Sequence, residues 1–245
     1  MPANPSAISW LDDAEIDAPA HGAVDVSVAR WNTSDGGETY APVLSVGVGV
    51  TSRLQLSASV PHYHAKYTNG YKGQGLGDSY FSAKTQLVDP GEHPLGIAVS
   101  GVLEVLSHAA VSDPALGLSR VNWALPVSIQ VGNDETVARA YGTVGYVSRG
   151  AALVGFGVEG DLTPTLTLMG AVNYSYATRT PGALTTQRLS RSRTDADGTI
   201  NLDVTRTVAV YASAGRTIST RDQSGATLLV SAGVRVSFGP RPRRP

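Results

Sequence analysis

The sequence contains no cysteine, which excludes disulfide frameworks, thiolate metal centres and cysteine nucleophiles. Charge is also scarce. Asp, Glu, Lys and Arg make up 16% of the 245 residues, against roughly 25% in an average soluble domain. The formal net charge of -1 is too small to recruit nucleic acid or to steer an acidic substrate. No apolar run reaches the about 18 residues of a membrane-spanning helix, and helical periodicity is nearly absent. The opening MPANPSAISW lacks a basic segment followed by an apolar one. It therefore predicts either a cytosolic chain or one read without its leader. Mean hydropathy is only -0.04, so bulk hydrophobe does not replace the missing charge. Gly, Ser, Thr and Val fill the space, a composition suited to β-structure with two differently solvated faces.

What the chain does have is alternation with a period of two. In VLSVGVGVT, Leu44, Val46, Val48 and Val50 oppose Ser45, Gly47 and Gly49. In VNWALPVSIQV, Val121, Trp123, Leu125, Val127, Ile129 and Val131 oppose Asn122, Ser128 and Gln130. TLTLMGAVNYSY and TLLVSAGVRVSF repeat the pattern. Globular strands usually hold about 5–6 residues, whereas a tilted strand crossing a bilayer needs about 9–11. These runs match the second length.

About twelve such strands are predicted, starting near residues 22, 42, 54, 75, 95, 121, 137, 150, 164, 197, 207 and 225. Short connections such as TSR, DPGEHP, GNDE, DLTP and TRT alternate with longer ones at 33–40, 65–74, 107–120 and 178–196. Sorting of turns to one end and loops to the other is a property of outer-membrane barrels. The expected fold is an all-β, transmembrane, antiparallel up-and-down barrel with both termini periplasmic. Residues 1–20 form a periplasmic lead-in, 21–238 the barrel, and 239–245 a Pro/Arg-rich tail expected to be disordered. Trp31, Tyr40, Tyr67, Phe81, Trp123, Tyr146, Tyr174 and Tyr176 fall near the long-loop end. They are expected to form an aromatic girdle at the headgroup layer.

The stretch GLGDSYFSAKTQLV, residues 75–88, sets the facing of the strands. Its glycines are spaced somewhat like a phosphate loop, but no helix follows to hold an anion and no GK[ST] ending is present. A lysine facing lipid at mid-membrane costs about 2–4 kcal/mol. Lys84 must therefore face inward with Asp78, Tyr80, Ser82 and Gln86, which turns Phe81, Ala83, Thr85 and Leu87 to lipid. By the same rule Asp25, Glu104, Arg139, Glu159, Asp203 and Arg235 line the lumen, with Asn122, Gln130 and Asn173. These charges either pair into a network that partly plugs the barrel or line a pore.

TSRLQLSASVPHYH, a polar loop, and then GLGDSYFSAKTQLVDPGEHPLGIAVSGVLEV together resemble the outer-membrane barrel family named for the meta-pathway of phenol degradation. Arg53, Leu54, Leu56, Pro61, Tyr63, Gly75, Gly77, Asp78, Ala83, Lys84 and Asp89 carry the likeness, and DDAEIDAPAHG resembles the lead-in of such barrels. The resemblance implies a FadL-like role, passing small hydrophobic or aromatic molecules through the bacterial outer membrane without cofactor or covalent step.

Other chemistry is weakly signalled. His62 and His64 share a strand face, but no third metal ligand is near, so a solvated rim pair is expected. His108 and Ser107 lie in a long loop without the pairing a hydrolase needs. Arg179, Arg188, Arg191 and Arg193 sit in a loop able to meet anionic headgroups, and no aromatic platform accompanies them for nucleic acid. The expected partners are the lipid bilayer and a small-molecule solute. A closed structural barrel and a soluble ligand-binding barrel are the alternatives.

Overall fold

The computed structural model describes residues 11–68, 70, 72–111, 119–132, 136–179, 190–219 and 225–239. The expected tail beyond 239, parts of the loops at 65–74, 107–120 and 178–196, and Arg188 lie outside the described residues.

The wall is one antiparallel sheet: β1 (Gly22–Thr33), β2 (Gly36–Thr51), β3 (Leu54–Tyr67), β4 (Lys72–Leu76), β5 (Ser79–Val88), β6 (Leu95–Val105), β7 (Val121–Val131), β8 (Ala138–Val147), β9 (Ala151–Thr163), β10 (Leu166–Ala177), β11 (Ser192–Asp203), β12 (Val208–Thr217) and β13 (Leu228–Phe238). Each strand pairs with its chain neighbours, and β1 pairs with β13 from Gly22↔Phe238 to Asn32↔Leu228, so the sheet closes on itself. Closure leaves no sheet edge, and lipid offers no partner for one. β4 and β5 occupy the same edge of β3, opposite His62–Lys66 and Leu54–Ser59 respectively. They are one wall strand interrupted at Gly77 and Asp78, and the barrel is twelve strands wide.

Two expected boundaries are corrected. β2 begins at Gly36, because Ser34 and Asp35 make a tight turn where a loop over 33–40 was expected. β11 begins at Ser192, five residues ahead of the expected start near 197.

Exposure alternates along every long strand. Val24, Val26 and Val28 on β1, Val144 on β8, Val154, Phe156 and Val158 on β9, and Val234 and Val236 on β13 are all exposed. Residues of the opposite parity, such as Asp25, Ser27, Ser128, Thr143 and Ser231, are buried. In a closed barrel the buried parity is the inside, so the polar side chains occupy the interior and the valines form an outer band. This is the reverse of a water-soluble barrel.

Residues 11–20 precede β1 and do not join the wall. From the short-turn end, where β1 begins and β13 ends, the chain passes β2 through a parallel bridge of Pro19 with Gly49. A Cβ on Gly49 would lie 2.1 Å from the Asp17 carbonyl oxygen, so only glycine lets the two backbones approach. Residues 11–17 then run inside the barrel.

Candidate functional site

The interior is built from two parts, the inward face of the strands and the inserted segment 11–17. Lys84 on β5 is 3% exposed, and its Nζ donates to Asp12 Oδ1 at 3.0 Å and Asp13 Oδ1 at 2.9 Å. Arg139 on β8 is held from two sides, by Glu15 of the segment at 3.0 Å and Glu159 of β9 at 2.9 Å. Three glutamines clamp the segment backbone and side chains: Gln130 Oε1 accepts from Ala14 N, Gln86 Nε2 donates to Ala14 O, and Gln55 Oε1 accepts from Asp17 N. Gln130 Nε2 also donates to Glu15 Oε1 at 2.7 Å. Leu11 packs on Tyr141 and Ala171, and a Cβ on Gly157 would come within 2.7 Å of its Cδ2. The inserted segment is therefore latched to β3, β5, β7 and β8 by charge and by amide pairing. Burial raises the pKa of the Asp13 carboxyl, but the charge and hydrogen bond of Lys84, with the charge of Arg139 among the further positive groups, together outweigh it and hold the group well below the usual carboxylate range.

The remaining expected lumen residues fall on the inward parity with varied partners. Asp25 accepts from Tyr211 Oη at 2.9 Å, and Arg235 Nε lies 3.8 Å from its other oxygen. Glu104 is fully buried, accepting from Tyr80 Oη and facing Arg149 at 3.3 Å. Asn122 and Asn173 are buried. Asp78 is half-buried just ahead of β5, and its Oδ1 accepts from Ser107 N. Asp203 is half-buried at the short turn that ends β11, not in mid-strand.

The aromatic set divides. Phe81, Trp123, Tyr174 and Tyr176 are exposed on the outer face, and Tyr146 is outward beside Trp123 with ring centroids 6.2 Å apart. Trp31 and Tyr67 do not belong with them. Trp31 shares the parity of Asp25, packs against Leu229 inside the wall, and lies 5.2 Å beneath the Arg193 guanidinium. Tyr67 shares the parity of Gln55 and donates inward to Glu38, as does Tyr40. Trp31, Tyr40 and Tyr67 are all corrected from girdle to interior. His62 and His64 stack on the outer parity with ring centroids 4.8 Å apart. No group of three or more His, Asp or Glu suited to a metal occurs among the described residues.

Sequence reasoning missed the inserted segment, the Arg149–Glu104 pair, and an inward row on β11 comprising Asp195, Asp197 and Thr199. Asp195 is neutralised by Arg193 at 2.9 Å and accepts from Thr217 Oγ1 at 2.6 Å. Asp197 is not answered in this way.

No known family model and no curated protein matches the chain. Among solved structures, it is similar to the KdgM porin in complex with disordered oligogalacturonate, at 12% identity and a TM-score of 0.60, with 89% of this chain and 99% of that one covered. It is similar to the NanC porin at 11% identity and 0.61, covering 89% and 100%. An outer-membrane channel from Pseudomonas putida F1 shows 13% identity and 0.61, covering 91% and 97%. Identities this low establish a shared fold. The expected membership of the phenol meta-pathway family is corrected, because no family model matches and the shared architecture is that of the KdgM and NanC porins. The protein is a closed antiparallel β-barrel of twelve strands with an outward apolar band, a fold it shares with the KdgM and NanC porins, and that architecture is the one of bacterial outer-membrane barrels.

Proposed function

We propose that the protein is a passive outer-membrane channel for small polar molecules, with its short-turn end and both termini on the periplasmic side. The observation that supports this reading is the inner wall. Beside apolar clusters such as Ala124, Val147 and Leu153, it carries Asp, Glu, Lys, Arg, Gln, Ser and Thr side chains, and an apolar solute would have to strip their hydration without offering hydrogen bonds in return. The expectation of a hydrophobic or aromatic solute is replaced accordingly. The KdgM and NanC structures carry the name porin, which agrees with a conduit. On this reading Lys84, Arg139, Gln86, Gln130, Glu104, Asp25 and Arg235 line or narrow the path, and Phe81, Trp123, Tyr146, Tyr174 and Tyr176 anchor the long-loop end in the headgroups.

One observation favours a second reading. Inward charges such as Glu104 are almost fully buried, and residues 11–17 fill part of the cross-section. A barrel closed by its own chain would have that appearance. Single-channel recording in planar bilayers separates the two. Discrete conductance steps from purified protein support the channel, and a silent bilayer with correctly inserted barrels supports the closed structure.

A further inference from the structure

Of the interior carboxylates, Asp197 alone combines burial with complete lack of a counter-group among the described residues. It is 9% exposed, and neither Oδ1 nor Oδ2 has a hydrogen-bond partner. Its charged neighbour is Asp195, of like sign. Arg193 is engaged with Asp195, and Arg235 is engaged with Asp25.

The register around Asp197 gives it small neighbours. Asp197 pairs with Ala171 on one side and Gly215 on the other, so two of the smallest side chains flank the carboxylate on the inward face. The row toward the long loops is Asn173, Asp195 and Thr217, and the row toward the short turns is Met169, Thr199 and Ser213. Thr199 Oγ1 is also buried without a hydrogen-bond partner. This part of the inner face therefore holds a carboxylate and a hydroxyl that are both buried without hydrogen-bond partners, polar groups above them, and an apolar border where Ala171 and Met169 meet Leu11. A buried, unpaired carboxylate is costly unless a cation or a proton joins it. The described residues lack a cluster able to hold a metal ion, and the mixed lining suits an organic cation better.

We propose that Asp197, with Thr199 beside it, forms a binding subsite for a small solute carrying a guanidinium or ammonium group, and that it makes the barrel prefer cations. The preference for cations in transit rests on the channel reading above, whereas the subsite itself does not.

Two measurements test it. Methylguanidinium titrated calorimetrically into the full-length protein in detergent near pH 7 should give a one-site isotherm. Asp197→Asn should weaken it about ten-fold or more while leaving the heat-modifiable barrel band on gels intact. In planar bilayers under a ten-fold KCl gradient, the reversal potential should report K⁺ passing several-fold more readily than Cl⁻, and D197N should bring that ratio down at least two-fold. Absence of methylguanidinium heat in the wild type, equal heats in D197N, or a selectivity untouched by D197N overturns the proposal. A silent bilayer with the binding isotherm intact sinks the channel reading and spares the subsite.

Discussion

Replacing Lys84 by Gln tests whether residues 11–17 are held in the barrel by charge. Lys84 answers both Asp12 and Asp13 within 3.0 Å at 3% exposure, and Gln supplies neither charge nor reach. Removing one partner of a buried ion pair costs about 3–5 kcal/mol, because the remaining carboxylates stay unpaired in a poorly solvated site. The barrel strands need not bear that cost, since among the described residues the segment is continuous with the wall only at its short-turn end and can leave to rehydrate Asp12 and Asp13. At about 1.4 kcal/mol per decade, the open fraction should rise by about two to three and a half decades. The chain has no cysteine, so Ala14→Cys, at a fully buried position, gives a single thiol that reports exposure. A membrane-impermeant maleimide should label A14C slowly near pH 7 and A14C/K84Q at least about a hundred-fold faster, while the urea midpoint of the barrel changes little. Equal labelling rates in the two would show that the Lys84 ion pairs contribute nothing to its seating.

The seating should also depend on acidity. The depressed carboxyl of Asp13 contributes stability that is complete above the ordinary Asp value of about 3.9 and is lost as pH falls below it toward the folded value. Asp12 works in the opposite sense, because burial raises its carboxyl. In an Asp12→Asn background, exchange of the Ala14 amide, corrected for intrinsic rate, should therefore rise only below about pH 4. On the outer face, Val158→Arg at mid-β9 should lower stability by about 2–4 kcal/mol in urea titrations from liposomes, and Tyr176→Arg near the rim by about 0–1. Equal costs at the two positions would contradict the assignment of the apolar band to the bilayer core. Inside, Arg149→Gln should cost about 1–3 kcal/mol because Glu104 is buried with one oxygen already lacking a hydrogen bond. Glu104→Gln in that background should recover part of the loss.

The fold was legible because one residue fixed the facing of a strand. Lys84 in SAKTQLV can face only inward in a membrane, and closure carries that parity around the barrel. The same arithmetic places Trp31 with Asp25, six residues apart, and Tyr67 with Gln55, twelve apart. Assigning both to the outer girdle weighed their position near the long loops above their parity. β11 began too late because SRTDAD carries no apolar side. That part of the strand lies toward the loop end, where the membrane's requirement for alternation lapses, and Asp195 and Asp197 were lost with it. The latch was not readable at all. Glu15 meets Arg139 across 124 positions and Ala14 meets Gln130 across 116, and nothing local in DDAE announces a partner so distant.

These contacts make the inserted segment part of the barrel's design rather than an accessory. A lumen charge left in a narrow interior needs a counter-charge, and neighbouring strands supply one for Arg139 through Glu159 and for Arg235 through Asp25. Lys84 is paired instead with Asp12 and Asp13, so the wall on the β5 side is electrostatically incomplete without the segment. The polar latch reaches β3, β5, β7 and β8, and Leu11 extends the contact to β9 and β10, where it packs on Ala171. Asp197 is the register partner of Ala171, so the interior carboxylate that lacks a counter-group among the described residues sits beside the far end of the segment.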